Sequence, residues 1–149
     1  MFASPLVSIV GNNIDPSMQL NYRKEFEWID DNSFAKVIQH KMICATEENL
    51  DELSEYKPNV IHFSGHGDIV NEKEANTINK FFGKLGHNYL LFEDKNLASQ
   101  IKMQEEINER FVSQQMLKHL KLVFISSCHS EGIGKLLFEA GVEHVICVK

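Results

Sequence analysis

A single α/β domain with a mostly parallel central sheet is the fold class that this sequence predicts, and three observations carry it. Short apolar runs rich in Val, Ile and Leu alternate with segments of helical period, the pattern of strands joined by covering helices. A length of 149 residues allows one sizeable core and leaves little room for a second. With 43% hydrophobic and 24% charged residues, the composition is that of a folded chain rather than a disordered one.

Leu6 to Val10 (LVSIV), closed by Gly11-Asn12-Asn13, reads as a first strand and its turn. Neither GxGxxG nor GKS/GKT follows it, so the sequence offers no phosphate-binding loop there. From Ser17 onward Tyr22, Phe26 and Ile29 recur at helical spacing, flanked by Leu20 and Trp28, which predicts an amphipathic helix ending near Asp30 to Ser33. Lys41 to Ala45 is a second strand candidate. Thr46 then caps a helix whose acidic first turn, Glu47 and Glu48, suits the helix dipole, and Leu50 and Leu53 are expected to face the sheet. Pro58 stops that helix, and Asn59 to Ser64 is the third strand.

Between Asp68 and Gly86 the chain is polar and unpatterned, which predicts a long exposed loop or an inserted short helix. Tyr89 to Phe92 is a short strand candidate. The charged, helix-prone segment with Glu105, Glu106, Glu109 and Arg110 has no assigned place. Ser113 is expected to cap a helix through Met116, Leu117 and Leu120, leading into the fourth strand of the parallel series, Leu122 to Ser126. Gly132 to Ala140 reads as a helix ended by Gly141, and Val145 to Val148 as the fifth strand.

Fifteen Lys and Arg against 21 Asp and Glu give a net charge of −6, and the basic residues are scattered. Nucleic acid and anionic membranes are therefore not the expected partners. No run of about 18 apolar residues occurs, and Met1 to Val10 has no basic leader region, so a cytoplasmic location is expected. Three cysteines, Cys44, Cys128 and Cys147, without CxxC spacing argue against a disulfide framework or a zinc ribbon and fit a reducing compartment.

Two stretches share one grammar. VIHFSGHGD (Val60 to Asp68) runs an apolar strand into His66 between two glycines, and VFISSCHS (Val123 to Ser130) runs an apolar strand into Cys128 beside a histidine. In a parallel sheet the carboxyl ends of the strands share one edge, where ligands bind, so His66 and Cys128 meet if the third and fourth strands are neighbours. A thiol becomes a nucleophile through a base in reach or a lowered pKa. His66 supplies the first, and the amino end of the helix near Gly132 part of the second. Gly65 and Gly67 are expected to let the backbone turn tightly, and the N–H groups of Gly67 and Cys128 to form an oxyanion hole. The bland alternative, a small buried residue, suits Cys147 inside its strand. It suits Cys128 poorly, because Ser127, His129 and Ser130 surround it. His62 is expected to pack or hydrogen-bond within the sheet. A zinc site of His66, Cys128 and His129 lacks a fourth ligand, so no metal is expected.

The segments PNVIHFSGHGD, YLLFED, VSQQMLKHLKLVFISSCHSEG and LLFEAGVEHVICV, taken in order, resemble the CHAT-domain branch of the caspase-like cysteine peptidases, over about Leu6 to Val148. The resemblance implies a caspase-like three-layer sandwich, here a single domain over residues 1–149, and a cysteine endopeptidase acting on protein or peptide substrates without a cofactor. Carried over by position, His66 is the histidine, Cys128 the nucleophile and Gly67 an oxyanion donor. The acid that would sit two residues before the cysteine is Ser126, which leaves Asp68 and Glu131 as candidates to contact a basic substrate side chain. Family members continue past a strand like VICV, so the chain is expected to lack its C-terminal portion and to complete its sheet with that portion or with a partner chain. The competing reading is a catalytically silent scaffold that acts in protein–protein association.

Overall fold

A computed structural model describes residues 2–4, 22–31, 39–71, 85–94, 99–113 and 115–149. The sequence-predicted strand at Leu6 to Val10 lies outside them. Five strands form a parallel sheet in the order β2-β1-β3-β7-β8, where β1 is Phe2–Ser4, β2 Met42–Cys44, β3 Val60–Ser64, β7 Leu122–Ser126 and β8 His144–Cys147. A second, antiparallel sheet in the order β4-β5-β6 consists of Gly67–Ile69, Asn88–Glu93 and Ser99–Met103. Four α-helices, α1 Tyr22–Asp31, α2 Glu47–Tyr56, α3 Gln104–Ser113 and α4 Glu131–Glu139, and one 3₁₀ turn, Met116–Lys118, complete the described elements. None of the helices among the described residues is long and apolar enough to cross a membrane.

Side-chain alternation divides the parallel sheet. Ile61 and Phe63 of β3 and Val123 and Ile125 of β7 point to one face, where they meet Leu50 and Leu53 of α2, Ile107 and Phe111 of α3, and Ile133 and Leu137 of α4. The alternate residues His62 and Ser64 face α1, where both contact Glu25. Helices thus lie on both faces of the sheet, as expected. The start of α2 follows the expected capping chemistry: Thr46 Oγ1 accepts the Asn49 N–H at 3.1 Å. Its end closes on Lys57 in the left-handed conformation, φ 49°, just before Pro58.

Three expectations are corrected. The stretch after Asp68 does not start as a loop, because Gly67–Ile69 is a strand of the second sheet, one whose glycine and aspartate hide its propensity. Ser113 does not cap a following helix. It is the last residue of α3, its hydroxyl donating back to Arg110 O at 3.1 Å, and Met116–Lys118 is a single 3₁₀ turn. The unplaced charged segment is α3 itself, preceded by a strand, β6, that sequence reasoning missed.

The antiparallel sheet is fastened across the carboxyl edge of the parallel one. Leu90 and Phe92 of β5 enter the main core, and Phe92 stacks on Phe63 with ring centroids 5.4 Å apart. Glu93 N–H donates to Ala45 O at 2.9 Å, while the wholly buried Glu93 carboxylate accepts from Cys44 Sγ at 3.1 Å.

At the other end of the core α4 lies close on β8. A Cβ on Gly134 would stand 2.7 Å from Cys147 Sγ, 3.2 Å from Cys147 Cβ and 3.3 Å from Val145 Cγ1. Gly134→Ala therefore sets the gain in helix propensity, about 1 kcal/mol, against overpacking of about 1–3 kcal/mol. The expected net result in urea unfolding is destabilisation, largely recovered in the Gly134→Ala, Cys147→Ala double variant.

Candidate active site

Strands β3 and β7 pair in register over their whole length, from Val60 opposite Leu122 to Ser64 opposite Ser126. One further backbone bond, Gly65 N–H to Ser126 O at 3.2 Å, extends the ladder past the last pair. His66 and Cys128 are each the second residue beyond that pair, so two neighbouring strands, about 4.8 Å apart, release them side by side onto the same edge. Cys128 is exposed and His66 half-buried.

The two loops that carry them touch each other. His129, next to Cys128, places Nε2 3.9 Å from Oδ1 of Asp68, two residues beyond His66. Gly67 lies against Ser127: a Cβ there would stand 2.5 Å from Ser127 Oγ, 2.7 Å from Tyr89 O and 2.9 Å from Leu90 Cδ2. Neither Gly65 nor Gly67 has positive φ. The expected tight glycine turn is thus replaced by a different need, since Gly67 is required for close approach rather than for backbone freedom. Ser127 is buried, and its hydroxyl has no hydrogen-bond partner among the described residues.

The backbone of Gly67 has a definite direction. Leu91 N–H donates to His66 O at 2.9 Å, which makes Gly67 and Leu90 a non-hydrogen-bonded antiparallel pair. The N–H and C=O of Gly67 therefore point away from β5. Of the other sequence-predicted residues, Ser126 ends β7 half-buried, on the same face as Ser64. Asp68 is exposed on β4, and Glu131 is exposed in the first turn of α4. Burial, and then the charge of Glu131, push the Cys147 thiol upward. Among the described residues, no three His, Cys, Asp or Glu side chains group so as to hold a metal ion.

Behind the His66 loop lies a polar cluster that sequence reasoning only touched through His62. Glu25 of α1 accepts from Ser64 Oγ at 2.7 Å, and its other oxygen lies 3.1 Å from His62 Nε2. His62 also meets the ring of Phe124 edge-on, with centroids 4.7 Å apart. Burial lowers the His62 pKa below its ordinary 6.5, outweighing the upward pull of the Glu25 charge. Glu25 stands in a segment read for its aromatic stripe, and nothing in its spacing signals a partner on β3.

A family model described as CHAT domain matches residues 25–149. No curated protein matches the chain closely enough to count as a relative.

Three outcomes are expected from this geometry. Gly67→Ala destabilises the fold by about 1–3 kcal/mol in urea unfolding, and adding Ser127→Gly recovers only part, because Tyr89 O is backbone and cannot withdraw. Ser127→Ala alone is neutral or mildly stabilising, since it removes an unpaired buried hydroxyl. For His62, the unfolded chain takes up a proton near pH 6.5 that the folded chain accepts only at lower pH. Its contribution is therefore complete above pH 6.5 and is lost as the pH falls from there through the lower folded value. His62→Gln should flatten that part of the urea midpoint against pH.

Proposed function

The chain belongs to the CHAT-domain family, which is related to the caspase-like cysteine peptidases, and from that premise we propose that it is a cysteine endopeptidase with Cys128 as nucleophile and His66 as general base and acid. The observation that carries this reading is the in-register pairing of β3 with β7, which releases a histidine and a cysteine from adjacent strands at the same level of the sheet.

His66 takes the Cys128 thiol proton, and Sγ attacks the carbonyl carbon of the scissile peptide, forming a C–S bond while the C=O π electrons move onto oxygen. The N–H of Gly67, directed away from β5, and the N–H of Cys128 receive that oxyanion. The tetrahedral intermediate collapses with cleavage of the C–N bond, and His66 returns the proton to the leaving amine. Water, deprotonated by His66, then attacks the thioester, and the acid product departs as the thiol reforms. Every proton and electron pair is accounted for by these two side chains and water, so the scheme uses no cofactor. Asp68 and Glu131 place negative charge on the two flanks of the Cys128 turn, where a basic substrate side chain would be held, whereas Ser126 contributes none.

The test is the rate of Cys128 alkylation against pH, followed by intact mass, in wild type and in His66→Ala. A thiol that reacts well below its ordinary pKa of about 8.5 and slows without His66 supports the dyad. An ordinary thiol indifferent to His66 overturns it and favours the scaffold reading. Cys128→Ala should change the urea midpoint little, within about 0.5 kcal/mol, because the residue is exposed.

A further inference from the structure

Ser130 occupies the N-cap position of α4, the place where a serine hydroxyl normally accepts an N–H from the first turn of its own helix. It makes no such bond. Instead the side chain, wholly buried, turns back into the Cys128 loop. Its hydroxyl lies 2.9 Å from Ser127 O as donor and accepts the Val148 N–H at 3.0 Å, and the Ser130 N–H donates to Val148 O at 3.0 Å. A ring of hydrogen bonds thus ties the turn from Ser127 to Ser130 to the residue just past β8. Within that turn His129 has φ 49°, a left-handed conformation that costs a non-glycine residue free energy and persists only where the surroundings hold it. The helix gives up a cap worth about 1 kcal/mol, and the turn that carries Cys128 is held in a strained shape.

We propose that Ser130 is the positioning residue for Cys128: its hydroxyl locks the nucleophile turn to the end of β8 and so holds Sγ where His66 can reach it. The proposal rests on the reading of Cys128 as nucleophile. It makes the backbone at Val148 part of the support of the active site, although that residue does not touch the reacting atoms. Removing the hydroxyl should release the left-handed turn and let the thiol move away from its base, with a cost in reactivity well above the cost in stability.

The experiment is Cys128 alkylation against pH in wild type, His66→Ala, Ser130→Ala and Ser130→Thr, with Cys44 and Cys147 followed in the same spectra and urea midpoints measured for each. Expected for Ser130→Ala is a loss of Cys128 reactivity near neutral pH on the order of ten- to a hundredfold, with the pH profile moved toward that of His66→Ala. Ser130→Thr, which keeps the oxygen, should restore the profile, and the other two thiols should react as in wild type. If Ser130→Ala does not fold, Val148→Pro removes the N–H donor from the other side of the ring and is held to the same criteria. A wild-type profile in Ser130→Ala, or equal losses in the alanine and threonine variants, overturns the positioning role while leaving the dyad intact. A wild-type thiol that is ordinary and indifferent to His66 overturns both, and the His66→Ala comparison tells the two failures apart.

Discussion

The parallel ladder between β3 and β7 is the constraint on which the rest of this molecule depends. Five consecutive pairs without a bulge make the two strands end level, and a parallel pair sends both of its exits to the same edge. A stagger of one residue would carry each following side chain to the opposite face of the sheet. The loops that carry His66 and Cys128 therefore start from the most regular part of the fold. Gly67 against Ser127 and Asp68 beside His129 show how close they stay.

The two sides of this ladder do different work. On one, branched and aromatic side chains fill the core with α2, α3 and α4 and supply the hydrophobic drive. On the other, His62 and Ser64 present polar groups to α1, and one carboxylate, Glu25, reaches both. Polar groups taken from water must find partners, so this arrangement specifies where α1 sits more sharply than an apolar contact would.

Much of this was legible in the sequence because it is written locally. Leu122–Ser126 is observed with the bounds expected of it, as apolar runs bounded by polar residues allow. Thr46, Leu50 and Leu53 announce a capped, one-sided helix, and that is what forms. The pairing of SGHG with SSCHS pointed to one edge, and the register agrees. The second sheet was hidden because only one of its strands, Asn88–Glu93, is strongly apolar, while Gly67–Ile69 and Ser99–Met103 mix glycine, charge and amide residues. Ser113 misled, and Ser130, for which no capping role was read, shows the same limit. Each looks like a cap by position, but where a hydroxyl turns is decided by tertiary neighbours, Arg110 O in one case and Ser127 O and Val148 in the other. The part played by Glu25 is equally non-local, since its partners lie on β3 and nothing near it in the chain identifies them.

His66 stands at the joint where the chain leaves the parallel sheet and enters the antiparallel one, its carbonyl already held by Leu91 of β5. The two halves of the site thus have different mechanical attachments: Cys128 is borne by the large sheet, and His66 is shared with the small one. Sliding of the small sheet along its neighbour by a single pair would be a shear of about 3.3 Å, as large as the hydrogen bond such a site must form. The stacked rings of Phe63 and Phe92 and the part-buried Cys44–Glu93 contact oppose that sliding. The seam between the two sheets is therefore the part of the fold through which the positions of His66 and Cys128 are related.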